Sequence, residues 1–109
     1  MAITQENMEK ALHYLAESEE EWANLRASKD LESKRLEIVL ASGIIDSNSS
    51  SVAAKKVDAL DSTDYKDTVE QYQQLLEAYY LIDAKRKRAE ILIDTWRTLE
   101  ASRRRGTIT

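Results

Sequence analysis

Apolar residues in the C-terminal half of the chain recur at alternating steps of three and four. No proline or glycine interrupts the backbone between residues 63 and 105. With Lys85 as its one interruption, this stripe consists of Leu75, Ala78, Ile82, Ala89, Leu92, Trp96 and Leu99. Such spacing keeps side chains on one face of an α-helix, and that face must be covered by a partner. The pattern predicts one long helix over about 63–105.

A second stripe runs through the N-terminal half, starting after Thr4, a residue type that caps helices. Its members are Met8, Ala11, Leu15, Trp22 and Leu25, then Leu36, Val39 and Leu40. Between residues 26 and 35 the stripe is thin, with Leu31 the only large apolar residue, so the helix could break near Ser28. Because no proline or glycine forces a break, we favour one helix over about 4–42 that stops at Gly43.

The connector is predicted as a polar loop over 43–51 and a short helix over about 52–60. In this helix the inward-facing residues should be Val52, Ala53, Val57 and Leu60. The tract 61–64 then offers caps for the last helix. Two long helices joined this way predict an all-α fold, a long antiparallel, coiled-coil-like hairpin with a short connecting helix.

Length and composition fit this architecture. The chain has 109 residues, a third of them charged, and we expect a single domain over 1–109. A two-helix hairpin has little core for its surface, so we expect self-association, most simply as a dimer that completes a four-helix bundle. No stretch is apolar enough to span a membrane, and no targeting signal is evident, which favours a cytoplasmic protein.

Charge is unevenly distributed along the chain and predicts a register. Residues 1–21 hold six Glu and one Lys, whereas residues 85–105 hold eight Lys or Arg and three acids. Antiparallel helices whose paired positions sum to about 106 bring these segments together. Glu17, Glu19, Glu20 and Glu21 would then face the run 85–88, and Glu6 and Glu9 would lie near Arg97. Exposed ion pairs contribute only about 0–1 kcal/mol each, so they select register more than they stabilise.

Two sets of residues are candidates for binding. The candidate partner interface consists of Trp22, Trp96, Leu92, Leu99 and Arg97, because tryptophan and arginine concentrate binding energy at interfaces. The candidate phosphate contacts are Lys87, Arg88, Arg103, Arg104 and Arg105. The run 85–88 is spread around its helix and faces the acidic segment, so a compensated surface is favoured there. For the run 103–105, helix capping is favoured over phosphate binding, because cations are favourable at a helix C-terminus.

Nothing in the chain indicates a reaction centre, and we predict a non-enzymatic protein without metal or cofactor. The chain has no Cys and one His, so thiolate and histidine metal clusters are excluded. His13 has no candidate nucleophile or oxyanion donors and is read as a structural or surface residue. The acidic run at 58, 61, 64 and 67 lacks the glycine and glutamate of a calcium loop, and capping explains most of it. Tyr65, Tyr72 and Tyr79 are favoured as packing residues over base-stacking residues.

Three stretches resemble a family of short all-helical bacteriophage and prophage proteins. They are residues 11–17 (ALHYLAE), residues 51–56 with 62–66, and residues 89–103 (AEILIDTWRTLEASR). At 54–55 this chain has Ala-Lys where the family would have Glu-Arg. The resemblance implies association with phage genes of DNA replication and recombination, and the cytoplasm of a bacterial host. Protein–protein contacts in phage DNA metabolism or on a host factor are therefore the expected function. The alternative is a nucleic-acid-binding accessory protein of phage recombination that uses the basic C-terminal end.

Overall fold

The structure is a computed structural model that describes residues 3–108. Its fold is a helical hairpin. Its helices are α1 (Gln5–Asp46), α2 (Val52–Leu60) and α3 (Thr63–Ile108), and the described residues form no strand. The long helices α1 and α3 pack against each other. The predicted all-α hairpin with a short connecting helix is therefore confirmed. No helix among the described residues is both long and apolar enough to cross a membrane.

The chain divides into two compact units. Unit 1 contains the described residues up to Trp22 and from Tyr80 onward, so it combines the start of α1 with the end of α3. Unit 2 is formed by residues 23–79 and contains α2. The expectation of one domain over residues 1–109 stays a prediction.

Helix α1 begins as predicted but does not end where predicted. The Thr4 hydroxyl accepts a hydrogen bond from the amide of Asn7 at 3.1 Å, which is the geometry of an N-cap. The helix is continuous through residues 26–35 and runs past Gly43 to Asp46. The prediction that Gly43 ends α1 is wrong, and so is a loop that starts at residue 43. Helix α3 likewise continues beyond Arg105, to Ile108.

Gly43 lies in α1 because a neighbouring helix approaches it closely. Its φ is not positive, so it does not form the left-handed cap that ends many helices. A Cβ added to Gly43 would lie 2.8 Å from the Cβ of Ala59, which is 1% exposed. Small residues on both helices therefore let α2 pack directly on the backbone of α1.

The packing face of α2 differs from the predicted one. Val52 is 79% exposed, Val57 is 64% exposed, and Ala53 and Leu60 are exposed as well. Ala59 is the buried residue of this helix. The prediction failed because it assumed that the largest apolar residues face inward, whereas the close contact with Gly43 admits only a small side chain.

Hydroxyl groups fix the connector at both ends of α2. Ser51 accepts from the amide of Ala54 at the start of α2, and Ser62 accepts from the amide of Tyr65 at the start of α3. The Asp58 carboxylate accepts from Ser47 and Ser49 at 2.6 Å each. These two hydrogen bonds hold the pKa of Asp58 below its ordinary value of 3.8, because they favour the charged form.

The buried face of α3, which we call its seam, matches the predicted stripe only at every second position. Its buried or half-buried members are Thr68, Tyr72, Leu75, Tyr79, Ile82, Arg86, Ala89, Ile93 and Trp96. Positions 75, 82, 89 and 96 belong to both patterns. The alternate positions are one residue later, so that Arg86 lies in the seam and Lys85 is exposed.

In unit 2, polar residues account for the thin part of the α1 stripe. Leu31 points outward and is 72% exposed. Lys29 occupies the seam instead, with its ammonium nitrogen 4.8 Å from the centre of the Tyr79 ring. Glu32, the next seam residue, has a 13% exposed side chain. Its Oε1 atom is buried without a hydrogen bond and lies 4.0 Å from the Nη1 atom of Arg35. Such residues stabilise the seam little, but the helix continues through them.

Candidate protein-binding surface

Unit 1 is held together by a small cluster of small and branched residues. Ala11 on α1 packs with Ala89 and Ile93 on α3, all at most 9% exposed. Met8, Leu15 and Leu92 pack against this cluster. Because alanines lie at its centre, the two helices approach closely while the core remains narrow, and larger apolar residues are left at its edge.

Arg86 connects the two helices just beyond this cluster. Its Nη1 atom donates to the carbonyl oxygen of Leu15 at 2.7 Å and to the hydroxyl of Ser18 at 2.8 Å. The guanidinium carbon lies 4.6 Å from the centre of the Trp22 ring. An arginine in the seam is thus supported by two neutral oxygens and an aromatic face.

These contacts give the register of unit 1. The residue numbers of the contacting pairs add up to between 101 and 105. These pairs are Arg86 with Leu15, Arg86 with Ser18, and Trp22 with Asp83. The glutamate-rich part of α1 and the basic part of α3 therefore lie side by side, as the charge pattern predicts. The partners of Arg86 are nevertheless neutral oxygens, while Glu17 lies 2.7 Å from the Nε2 atom of His13 in its own helix.

Beside the cluster lies an open groove of about 520 Å³ between α1 and α3, which we name the unit 1 groove. Its lining residues are Ile3, Asn7, Lys10, Ala11, Arg88, Ala89, Ile91, Leu92 and Thr95. The wall is mostly apolar, and Ile91 is 64% exposed although it lines this wall. Lys10 and Arg88 supply cations, with Lys10 also 3.3 Å from Glu6. Such a surface can bind a helix with an apolar face and acidic flanks.

The predicted interface residues lie in different environments. Leu92 lines the unit 1 groove and packs on the core cluster. Trp22 contributes to the fold of unit 1, because its ring contacts Arg86 and its Nε1 atom donates to Asp83 at 3.2 Å. Trp96 is half-buried in the seam. Leu99 is 42% exposed and Arg97 is exposed, both nearer the end of α3.

The cations predicted to bind phosphate do not form one cluster. Among the described residues, their contacts are with different partners. Lys87 pairs with Asp83 at 2.9 Å, and Arg103 pairs with Glu100 at 2.7 Å. The Nε atom of Arg105 donates to the carbonyl of Ala101 at 3.5 Å, one turn earlier in the same helix. Arg88 lines the unit 1 groove, whereas Arg104 is exposed near the end of α3.

Ile91 is a groove residue that sequence reasoning missed. The sequence contained a signal for it, because residues 91–93 are three successive apolar residues. Successive helix residues are about 100° apart, so three of them cannot all lie in one narrow seam. Ile93 occupies the seam, and Ile91 is left on the outside.

No group of three metal-ligating side chains converges among the described residues. Comparison with protein families, curated proteins and solved structures finds no match to this chain. The resemblance to phage proteins therefore stays a prediction, and the geometry of unit 1 is what supports a function.

Proposed function

We propose that the protein is a non-enzymatic accessory or adaptor protein that acts through protein–protein contacts, with the unit 1 groove as its docking surface. The observation that carries the proposal is the groove itself, a mostly apolar wall beside a core of only a few small residues. Grooves of this kind bind amphipathic helices, which bury their apolar face and leave charges at the rim. The resemblance to phage proteins adds the context of phage DNA metabolism or a host factor.

The proposal is tested by affinity purification of the tagged protein from phage-infected bacterial cells. The variant Ile91→Glu introduces a charge into the groove wall at a side chain that is already 64% exposed, so the fold should survive. The matched control is Leu31→Glu, at a 72% exposed position in unit 2. We expect proteins to be retained by the parent chain and by the control but lost from Ile91→Glu. Equal retention by all three would contradict the groove as the docking surface.

The alternative function is nucleic-acid binding by the C-terminal part of α3. It is favoured by the exposure of Arg97 and of the run 103–105. It is opposed by the net charge of −4 and by the Glu100 carboxylate beside Arg103. Phosphate binding predicts an affinity for single- or double-stranded DNA that falls steeply with salt. Under the proposed function, fluorescence anisotropy with labelled DNA should show no such binding at low salt, and replacing residues 103–105 by alanine should leave protein capture unchanged.

A further inference from the structure

Unit 2 contains the additional helix α2, whereas unit 1 has an open groove between its two helices. In unit 2, α2 packs against α1 at the contact of Ala59 with Gly43. In unit 1 the described residues belong to α1 and α3 and to the short segment before α1. An amphipathic helix laid along the groove would therefore complete the packing of unit 1.

The exposed area of the chain is large for its mass. The solvent-accessible surface is 8131 Å² for a chain of 12.5 kDa. A compact monomer of that mass exposes about 6,200 Å². The excess of about 1,900 Å² is more than twice the ~800 Å² that each partner contributes to a standard stable interface. The excess, summed over the whole chain, is larger than a stable dimer interface needs.

Charge indicates which surface would cover the groove. The rim carries Lys10 and Arg88, and residues 85–105 as a whole hold eight cations against three acids. The complementary segment is residues 1–21 of the same sequence, with six Glu and one Lys. Unit 2 is less suitable, since residues 23–79 hold seven cations and ten acids spread along three helices.

We infer that the unit 1 groove is closed by unit 1 of a second copy, related by a two-fold axis along the helices. In this arrangement α1 of one copy lies antiparallel beside α3 of the other, and four helical segments form a bundle. The inference rests on the proposed function in one respect, namely that the groove is a protein-docking surface. It adds the identity of the occupant.

The direction of the axis follows from the register. Rotation about an axis parallel to the helices does not move any residue along that axis. Equivalent residues of the two copies therefore have the same height along it. Arg86 is level with Ser18, which makes Arg88 level with Ala16, next to Glu17. Arg88 of each copy then lies near Glu17 of the other. A closed, self-complementary contact of this type is the commonest form of oligomer.

The first test is sedimentation equilibrium of the purified chain at micromolar concentration. We expect a mass of about 25 kDa for the parent chain, twice the 12.5 kDa of one copy. The variant Ile91→Glu should sediment as a folded monomer, with helicity checked by circular dichroism. Leu31→Glu should remain dimeric. A parent chain that stays monomeric, or a dimer that Ile91→Glu leaves intact, would overturn the inference.

The second test uses charge reversal at exposed positions, where loss of folding is not a concern. Arg88→Glu should weaken dimerisation about tenfold, because it brings like charges together. Glu17→Lys should weaken it similarly, and the double variant should recover most of the affinity. Arg26→Glu, an exposed site in unit 2, serves as the control and should have no effect. Additive losses in the double variant would exclude this axis.

The two proposals can fail separately. A monomeric chain that captures another protein through Ile91 would keep the proposed function and overturn the second-copy inference. In the dimer the second copy fills the groove, so capture of another protein would depend on the assembled bundle. A dimer that behaves as expected but captures no other protein would keep the inference and remove the adaptor function.

Discussion

At the scale of single residues, Gly43 shows how a missing side chain permits close contact between helices. Glycine usually destabilises a helix interior by about 1 kcal/mol relative to alanine. At Gly43 this cost is offset because α2 packs where a Cβ would be. Gly106, the other glycine, is also in a helix, but an added Cβ there meets nothing within 4 Å.

We therefore expect opposite effects from the same substitution at the two glycines. Gly43→Ala should destabilise the protein by about 1–3 kcal/mol, because the new Cβ would lie 2.8 Å from that of Ala59. Gly106→Ala should be neutral or stabilising by up to about 1 kcal/mol. Urea denaturation of both variants measures the difference. A stabilised Gly43→Ala variant would show that α2 does not pack against α1 as described.

Arg86 and Lys85 are adjacent residues of similar chemistry with different roles. Arg86 donates two hydrogen bonds across the seam and contacts the Trp22 ring, whereas Lys85 is exposed. We expect Arg86→Ala to lower the free energy of unfolding by about 2–3 kcal/mol, from the lost charged hydrogen bonds and the cation–π contact. Lys85→Ala should change it by about 0.5 kcal/mol or less. Similar losses of unfolding free energy for both variants would favour the predicted α3 stripe, which passes through Lys85.

At the scale of elements, the existence of the helices could be read from the sequence, but the phase of the α3 seam could not. Long runs without proline or glycine suffice to predict a helix. The phase was ambiguous because several seam residues have an apolar neighbour, such as Ala78 beside Tyr79 and Leu92 beside Ile93. Arg86 made the choice harder still, since a charged residue in the seam contradicts the usual pattern.

The phase of α3 can be tested with isoleucines alone. Ile93 is 4% exposed, so Ile93→Ala should cost about 2–5 kcal/mol through lost burial and the cavity left behind. Ile38→Ala is the matched control, at a 65% exposed position on α1, and should cost about 0.5 kcal/mol or less. Denaturant titration gives both values, and comparable costs would argue against a buried Ile93.

The candidate site was less predictable than the helices for a related reason. The sequence selected Leu92 as an interface residue and Arg88 as a phosphate contact. The groove that they line depends on how closely α1 approaches α3, which is set by the contact of Ala11 with Ala89 and Ile93. Helical periodicity gives the faces of each helix but not the distance between two helices.

At the scale of the whole molecule, the limited core links stability to concentration. Among the described residues, the buried hydrophobic ones are Ala11, Ala59, Ile82, Ala89 and Ile93. Three of these are alanines, which bury little apolar area each. A chain with so small a core gains much of its stability from whatever covers its exposed apolar surface.

The melting temperature of the parent chain should therefore rise with protein concentration. Dimerisation coupled to folding stabilises the folded state by mass action, and a tenfold increase in concentration should raise Tm by about 3 °C. Differential scanning calorimetry over two decades of concentration measures this slope. The Tm of the Ile91→Glu variant should not depend on concentration. A parent chain whose Tm is also independent of concentration would contradict coupled dimerisation.

The arginine in the seam also has a consequence for alignment. Sliding one helix past the other by seven residues would keep apolar side chains in contact, so hydrophobicity alone penalises the slipped pairing weakly. After such a slide, Arg86 would face Ala11 or Leu25 in place of Ser18, and neither residue offers a side-chain acceptor. The half-buried arginine therefore specifies a single alignment of the two helices. Its replacement by leucine should yield a mixture of staggered hairpins.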